Sequence, residues 1–521
     1  MTRKAFLSRL LQHDAAVLWS LASATLLLHF LLNGRYGYWI DELYFIACGE
    51  HLDWGYVDQP PLIAVVAKVS RWLLGDSLFA IRFFPALAGA GLVFVTGQLA
   101  SVLGGRRFAQ ALAAVAVLVA PIYLGFDNLL TMNAFEPLFW MLVAYIVMRI
   151  VTRHGSQLWL LAGLVAGIGF LNKYSMVFFL LSLGVGLLLT SERRILWSKW
   201  LSLGALLAIV IVLPNLLWEY RLGWPTVELL QNAKRYQHQS VSPLEFLWGQ
   251  IQLVHPFTLP LWLIGLFSLL RQQDTRFRFL GWTFVVFFGV SMLGQAKTYY
   301  VAPVYPLLFA AGAVAIEEFV QRRAWHWLKP AVVAFLLIGG MISAPYVLPV
   351  LPIEWVPTYL GWLGIKEVRP ERREEGQVPQ LFADMLGSRE MVAAVARVYE
   401  SLPPLERTQC AIWARDYGGA AAIDFFGPAY HLPKAISGHQ NYYLWGPGNQ
   451  SGELVITISI PGESLRPWFR QIELAATVEC PYCMPDRARM PIYVCRGLKE
   501  PLREFWPKVK CWTCDKPPFA R

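Results

Sequence analysis

The chain reads as an all-α polytopic membrane domain of about eleven transmembrane helices, followed by a small external α/β domain. Three observations predict this class. Of its 521 residues 56% are hydrophobic and 14% aromatic, with mean hydropathy +0.44, which is far too apolar for an ordinary soluble domain. Apolar runs close to the ~20 residues that cross a ~30 Å hydrocarbon layer recur as far as Val350. After that the composition turns polar, and the hydrophobic pattern shortens to ordinary helix and strand lengths.

The first run, Ala15 to Leu32, is too long for a cleaved signal segment and no small-residue cleavage site precedes Asn33-Gly34, so it is expected to remain as a helix. Further runs follow at 81–99, 108–124, 134–150, 158–171, 176–189, 201–217, 250–270, 280–293, 303–316 and 330–350. Several are short enough to require tilt, a kink or re-entry. Gly163, Gly167 and Gly169 within one run fit close helix packing.

Alternate turns carry the cations. Arg3, Lys4 and Arg9, then Arg106 and Arg107, Arg149 and Arg153, Arg193, Arg194 and Lys199, Arg271, Arg276 and Arg278, and Arg322, Arg323 and Lys329 mark inner turns, while those near Asp127 and Lys297 are nearly free of them. The positive-inside rule then predicts a cytoplasmic amino terminus and, after an odd number of crossings, an external (periplasmic) tail of a multi-pass inner-membrane protein. The net charge of +10 is mostly this topology signal, and nucleic-acid binding is not needed to explain it.

Three segments are too long or too polar for turns. Residues 34–80 mix Trp and Tyr with acids and suit short interfacial helices. Residues 218–249 are polar and include Arg235 and His238. The third follows Val350: a linker over 351–380, then an α/β domain over 381–521, with helices expected at 384–399 and 417–426 and strands at 409–413, 453–460, 471–478 and 491–494. The expected membrane domain is therefore 1–350.

The first external segment reads Tyr38-Trp39-Ile40-Asp41-Glu42-Leu43-Tyr44-Phe45, then Asp53-Trp54-Gly55-Tyr56-Val57-Asp58-Gln59-Pro60-Pro61-Leu62. Adjacent carboxylates at a membrane surface suit a base acting where water meets a lipid-linked substrate. A sugar on a polyprenyl phosphate already has a leaving group, so its transfer needs chiefly a carboxylate base and cations for the phosphate. Asp41 is the candidate base, with Glu42, Asp58 and Asp127 as orienting acids. Lys173, Arg235, Lys297, Tyr299 and Tyr300, at or near outer span ends, are candidates for holding the phosphate. The plainer account makes the acids solvated surface groups and the cations snorkelling anchors.

Trp39-Ile40-Asp41-Glu42-Leu43-Tyr44 together with Asp58-Gln59-Pro60-Pro61-Leu62 resembles the first external loop of the protein O-mannosyltransferase and aminoarabinose transferase superfamily, integral membrane glycosyltransferases of the GT-C fold. Asp127-Asn128-Leu129-Leu130-Thr131, Leu171-Asn172-Lys173-Tyr174-Ser175, Lys297-Thr298-Tyr299-Tyr300 with Pro303 and Tyr305-Pro306, and the tail segment Ser437 to Pro447 are similar to its bacterial members. The resemblance implies inverting transfer from an undecaprenyl- or dolichyl-phosphate-linked sugar. It implies Asp41 as catalytic base, Glu42 as its partner, Asp127 as a second acidic position, and Lys297 with Tyr300 on the donor side. Where protein mannosyltransferases carry His and aminoarabinose transferases a basic residue, this chain has Gln59, so neither named substrate follows. No segment resembles the mannosyltransferases' β-trefoil, which counts against a protein acceptor and sets a bacterial glycolipid or surface glycan at least level with it, leaving glycolipid, glycan and protein acceptors open.

Six of the seven cysteines fall in the tail. Cys480 with Cys483 and Cys511 with Cys514 form two CxxC pairs that could surround a structural zinc, although the intervening stretch is longer than the usual ribbon spacing; an oxidising exterior instead favours disulfides. Neither would be catalytic, because a closed four-thiolate site leaves no open position. A divalent cation could assist the departing phosphate, but no ligand set is identifiable. His238, His255 and His439 fit hydrogen-bonded structural groups better than ligands. A transporter or flippase would instead place ionisable groups or broken helices near the midplane, and a non-catalytic scaffold with an external binding domain would be indifferent to Asp41.

Overall fold

The computed structural model describes residues 13–152, 155–237, 241–271, 275–364 and 374–513, which fold as two compact units. The first comprises Met1–Gly34, Arg82–Leu216 and Ser240–Val350; the second comprises Arg35–Ile81, Leu217–Gln239 and Leu351–Arg521. The division is not the one at residue 350 that composition suggests. The first polar segment and part of the second belong to the same unit as the tail, with which their contacts cluster. Part of the expected linker, 365–373, lies outside the described residues, as does His238, and Ile353–Trp355 and Val356–Leu363 before it are helical.

In the first unit each expected run falls on a helix or a bent helix pair. Against the eleven or so spans expected, six helices among the described residues are long and apolar enough to cross a membrane: Leu78–Val102, Met132–Val151, Lys199–Arg221, Thr275–Leu293, Thr298–Arg323 and Leu328–Val347. Two bent pairs, Arg107–Val119 with Pro121–Asp127 (65°) and Pro243–Leu253 with Pro256–Arg271 (90°), would bring the number to eight. The bends follow from proline at the start of the second helix, which has no N–H to continue the hydrogen-bond ladder. Ala16–Leu32, Leu158–Asn172 and Met176–Leu188 are apolar but shorter.

With lipid as apolar as the protein, helix association rests on close packing. Gly163 illustrates this: a Cβ there would lie 2.0 Å from the carbonyl oxygen of Gly204, so only paired glycines let helices Leu158–Asn172 and Lys199–Arg221 touch backbone to backbone. Trp140 fills the centre of the bundle, stacked on Phe179 at 4.6 Å and edge-on to Phe287 at 5.0 Å.

The second unit is α/β, built on a five-stranded sheet of order β2-β1-β3-β5-β4, with β1 Cys410–Ala414, β2 Ala435–Ile436, β3 Leu454–Ile458, β4 Phe469–Glu479 and β5 Arg489–Leu498. β2, β1 and β3 run parallel, and β5 and β4 close the sheet antiparallel. β1 (CAIWA) and β3 (LVITI) are buried throughout, which accounts for their unbroken apolar runs. Four helices matter for the site: α1 Ile40–Glu50, α2 Leu62–Leu74, α3 Ser388–Ser401 and α4 Tyr417–Phe426. Helix α4 packs along α1, with Gly418 against Ile40, where an added Cβ would come within 3.2 Å. The acidic segment is thus a docked helix of the α/β unit.

Candidate functional site

Asp41 and Glu42 sit in the first turn of α1, where the unpaired amide N–H groups and the helix dipole favour negative charge. Their surroundings differ. Glu42 is 0% exposed, and its Oε2 accepts the N–H of Trp39 at 2.9 Å, which caps the helix. Asp41 is half-buried, and its Oδ1 accepts the hydroxyl of Tyr417 at 2.7 Å.

Tyr417 is the first residue of α4, whose amino terminus is capped by Asp416 accepting the Gly419 N–H at 2.9 Å. Burial pushes the Asp416 carboxyl up, but Arg487, the Gly419 N–H, His439 and Arg415 together hold it below the usual range, so the cap is anionic. The Tyr417 ring lies between Tyr44, 4.4 Å away, and His439, 4.7 Å away. Its backbone N–H donates to Nδ1 of His439 at 3.3 Å, which leaves Nε2–H to donate to the Trp512 carbonyl at 3.2 Å. His439 therefore orients Tyr417 through the backbone bond and the ring contact.

Behind this line lies a second polar group. Tyr44 donates to Asp58 Oδ1 at 2.9 Å and accepts from Asn441 Nδ2 at 2.5 Å, and Asn441 Oδ1 accepts the Val57 N–H at 3.3 Å. Burial pushes the Asp58 carboxyl up to about 6, the Tyr44 bond pulling the other way. Burial likewise raises the Cys48 thiol well above its ordinary value. Asp58 thus supports Tyr44, which in turn stacks on Tyr417. Arg235, in the short segment Ala233–Gln237, is exposed with its guanidinium 5.5 Å from the Tyr236 ring centre.

Asp127, Lys173, Lys297, Tyr299 and Tyr300 belong to the first unit, where three turns meet. Lys173, after helix Leu158–Asn172, donates to Glu136 Oε2 and Asn133 Oδ1, each at 2.7 Å. The Ser175 hydroxyl donates to the other oxygen of Glu136. The Lys173 ammonium also lies 4.8 Å from the Tyr300 ring centre and 5.7 Å from that of Tyr299, and Lys297 lies 5.9 Å from Tyr299. Asp127 is buried beside Gly89, where an added Cβ would lie 2.1 Å from its Oδ2. The glycine makes room for the carboxylate.

The zinc alternative for the tail is corrected. Cys480 is disulfide-bonded to Cys483 and Cys511 is disulfide-bonded as well, so these sulfurs are not thiolates; Cys514 lies outside the described residues. Among the described residues no three His, Cys, Asp or Glu side chains come together to hold an ion, so no residue set is assigned to the divalent cation.

Sequence reasoning missed Glu136, Asn133 and Tyr417, and gave Asn441 no role. Glu136 carried a signal, since an acid inside an apolar run is a functional flag in itself. Tyr417 carried none, because 376 positions separate it from Asp41.

The geometry can be set beside known proteins. Residues 58–218 match the family model of dolichyl-phosphate-mannose-protein mannosyltransferases. Over 385 residues, 65% of this chain and 68% of the relative, the sequence is 24% identical to the undecaprenyl phosphate-alpha-4-amino-4-deoxy-L-arabinose arabinosyl transferase of Pectobacterium carotovorum. Over 256 residues, 47% of this chain and 52% of the relative, it is 25% identical to the lipid A galacturonosyltransferase RgtD of Rhizobium johnstonii. The chain thus spans about half to two thirds of the length of these curated relatives. The crystal structure of ArnT from Cupriavidus metallidurans, solved apo and bound to undecaprenyl phosphate, superposes with a TM-score of 0.61 at 16% and 15% identity, covering 91% of this chain and 97% of that one. The fold is that of the ArnT crystal structures. In sequence as well as fold the chain is similar to such transferases.

Proposed function

We propose that the chain transfers a sugar from a polyprenyl-phosphate donor to an acceptor hydroxyl at the external membrane face, with Asp41 as general base. Its carboxylate takes the acceptor proton as the oxygen attacks the anomeric carbon from the side opposite the phosphate. The bond from that carbon to the phosphate oxygen breaks, and polyprenyl phosphate leaves with the electron pair. A single displacement of this kind inverts the anomeric centre. The observation that carries the reading is the contrast within the acidic pair: Glu42 is sealed as a helix cap, whereas Asp41 keeps solvent exposure and is aimed by a tyrosine hydroxyl.

The other candidates take graded roles. Lys297 with Tyr299 and Tyr300 serves the donor phosphate. Lys173, already bonded to Glu136 and Asn133, is better suited to fixing Tyr300 through its cation–π contact. Asp127 orients the sugar or acceptor, and Asp58 braces Tyr44 behind Tyr417. The names of the relatives support an undecaprenyl-phosphate donor and a lipid A-type glycolipid acceptor. The cytoplasmic amino terminus and external α/β unit rest on the cation pattern.

The test is incubation of purified full-length protein with a panel of polyprenyl-phosphate sugars and an acceptor, reading release of free polyprenyl phosphate. At least one donor is expected to turn over, and Asp41→Asn to lower the rate by about 10²–10⁴ with normal membrane insertion. A flippase or scaffold would release no polyprenyl phosphate from any donor, and an active Asp41→Asn protein would remove Asp41 as the base.

A further inference from the structure

A cleft of about 380 Å³ lies at the arginine-bearing end of the first unit, lined by Ile150, Gly155, Ser156, Trp159, Arg194, Ile195 and Ser198. It belongs to no part of the proposed reaction: Ile150, Gly155 and Ser156 fall near the end of one span and the start of the next, opposite the Lys173 turn along helix Leu158–Asn172. Its chemistry is nevertheless specific. Trp159 is only 6% exposed and its indole N–H has no acceptor, an uncommon omission for a buried donor. Arg194 is exposed and has no ion pair or hydrogen-bond partner among the described residues, while nearby Glu192 accepts from Ser191 at 3.3 Å.

Two helices of adequate length begin beside these groups, Leu158–Asn172 after Ser156 and Lys199–Arg221 after Ser198. Their positive dipole ends add to Arg194 and the free indole donor, so among the described residues the polar lining of the cleft suits an anion. Ile150, Ile195 and the Trp159 ring supply an apolar wall. The occupant is indicated by the neighbouring helix: only 17% of the apolar window of Lys199–Arg221 is buried inside the protein, so it presents the rest to acyl chains. An anion fixed at this place with hydrocarbon beside it is a membrane lipid.

We propose that this cleft binds the phosphate of an anionic phospholipid, such as phosphatidylglycerol or cardiolipin, from the leaflet on the arginine-bearing side. Arg194 and the Trp159 indole N–H hold the phosphate, and the acyl chains lie along helix Lys199–Arg221. The inference is independent of the glycosyl-transfer reading, since none of these residues is placed in the reaction.

Purified full-length protein, delipidated in detergent, is titrated with phosphatidylglycerol, phosphatidylcholine or inorganic phosphate, and bound lipid and thermal stability are read by native mass spectrometry and a melting scan. Phosphatidylglycerol is expected to bind at least tenfold more tightly than phosphatidylcholine. Arg194→Gln should lose about tenfold in that affinity with an unchanged lipid-free melting temperature, and Trp159→Phe should lose a smaller factor while keeping its ring contacts. Equal binding of the two lipids, or unchanged phosphatidylglycerol affinity in both variants, overturns the proposal. Stabilisation by inorganic phosphate alone, abolished by Arg194→Gln, would identify a soluble phosphate as the ligand and overturn the lipid assignment.

Discussion

Replacing Tyr417 by Phe deletes one hydroxyl and leaves the ring between Tyr44 and His439, and the backbone bond to His439, in place. The fold should therefore persist, and the loss includes the 2.7 Å bond to Asp41. A hydrogen bond to a charged acceptor contributes about 1.5–3 kcal/mol, and it favours the carboxylate over the carboxylic acid. Its removal should move the acid limb of kcat/KM upward. Above that limb the variant should retain turnover, reduced about tenfold by the looser aim of the carboxylate. The assay is release of free polyprenyl phosphate by purified full-length protein between pH 4 and 9, with Asp41→Asn as the inactive reference. An acid limb that stays in place, or moves downward, refutes the idea that Tyr417 holds the base.

Other consequences are equally open to measurement. Asp58 has its carboxyl raised by burial from 3.8 to about 6, so the folded state binds the extra proton and this group's contribution to stability falls as pH rises through that window, by at most about 3 kcal/mol. Melting scans across pH 4–7 should show Asp58→Asn flattening that decline; identical slopes would place the Asp58 proton elsewhere. Breaking the Lys173–Glu136 pair with Lys173→Met should cost about 3–5 kcal/mol by leaving a buried carboxylate uncompensated, and adding Glu136→Gln should restore most of it. A double-mutant cycle without coupling would show the pair to be incidental.

How much was legible in the sequence follows from the range of the forces involved. The apolar helices were legible because lipid imposes a run length on each one separately, and even the bends announce themselves at Pro121 and Pro256, but about eleven spans were expected where six to eight among the described residues are long enough. The buried strands at 410–414 and 454–458 were legible through unbroken apolar runs, whereas two-residue β2 has no signal of its own. The unit boundary was not legible, because whether 35–81 packs on neighbouring spans or on helix α4 depends on shape complementarity such as Gly418 against Ile40. Cysteine spacing left zinc and disulfides open, since both need two sulfurs three residues apart.

The adjacency of Asp41 and Glu42 drew attention in the sequence, but helix geometry separates their roles. Successive residues on an α-helix point about 100° apart, so the two carboxylates cannot address one atom from the same direction. Glu42 reaches back to the Trp39 N–H and fixes where α1 begins; that register then directs Asp41 toward Tyr417. Glu42 is accordingly read as a positioning residue. Gln at position 42 retains a carbonyl that can accept the Trp39 N–H and gives up the charge near the helix terminus, a loss of up to about 2 kcal/mol away from solvent. Glu42→Gln should therefore keep transfer within about threefold, whereas Glu42→Ala, which strands a backbone donor and removes a cap worth about 0.5–2 kcal/mol, should lower both stability and kcat. Turnover and melting temperature measured on the two variants together decide the matter: if Glu42→Gln is well folded yet as inactive as Asp41→Asn, the second carboxylate acts through its charge and the division of labour drawn from the cap is wrong.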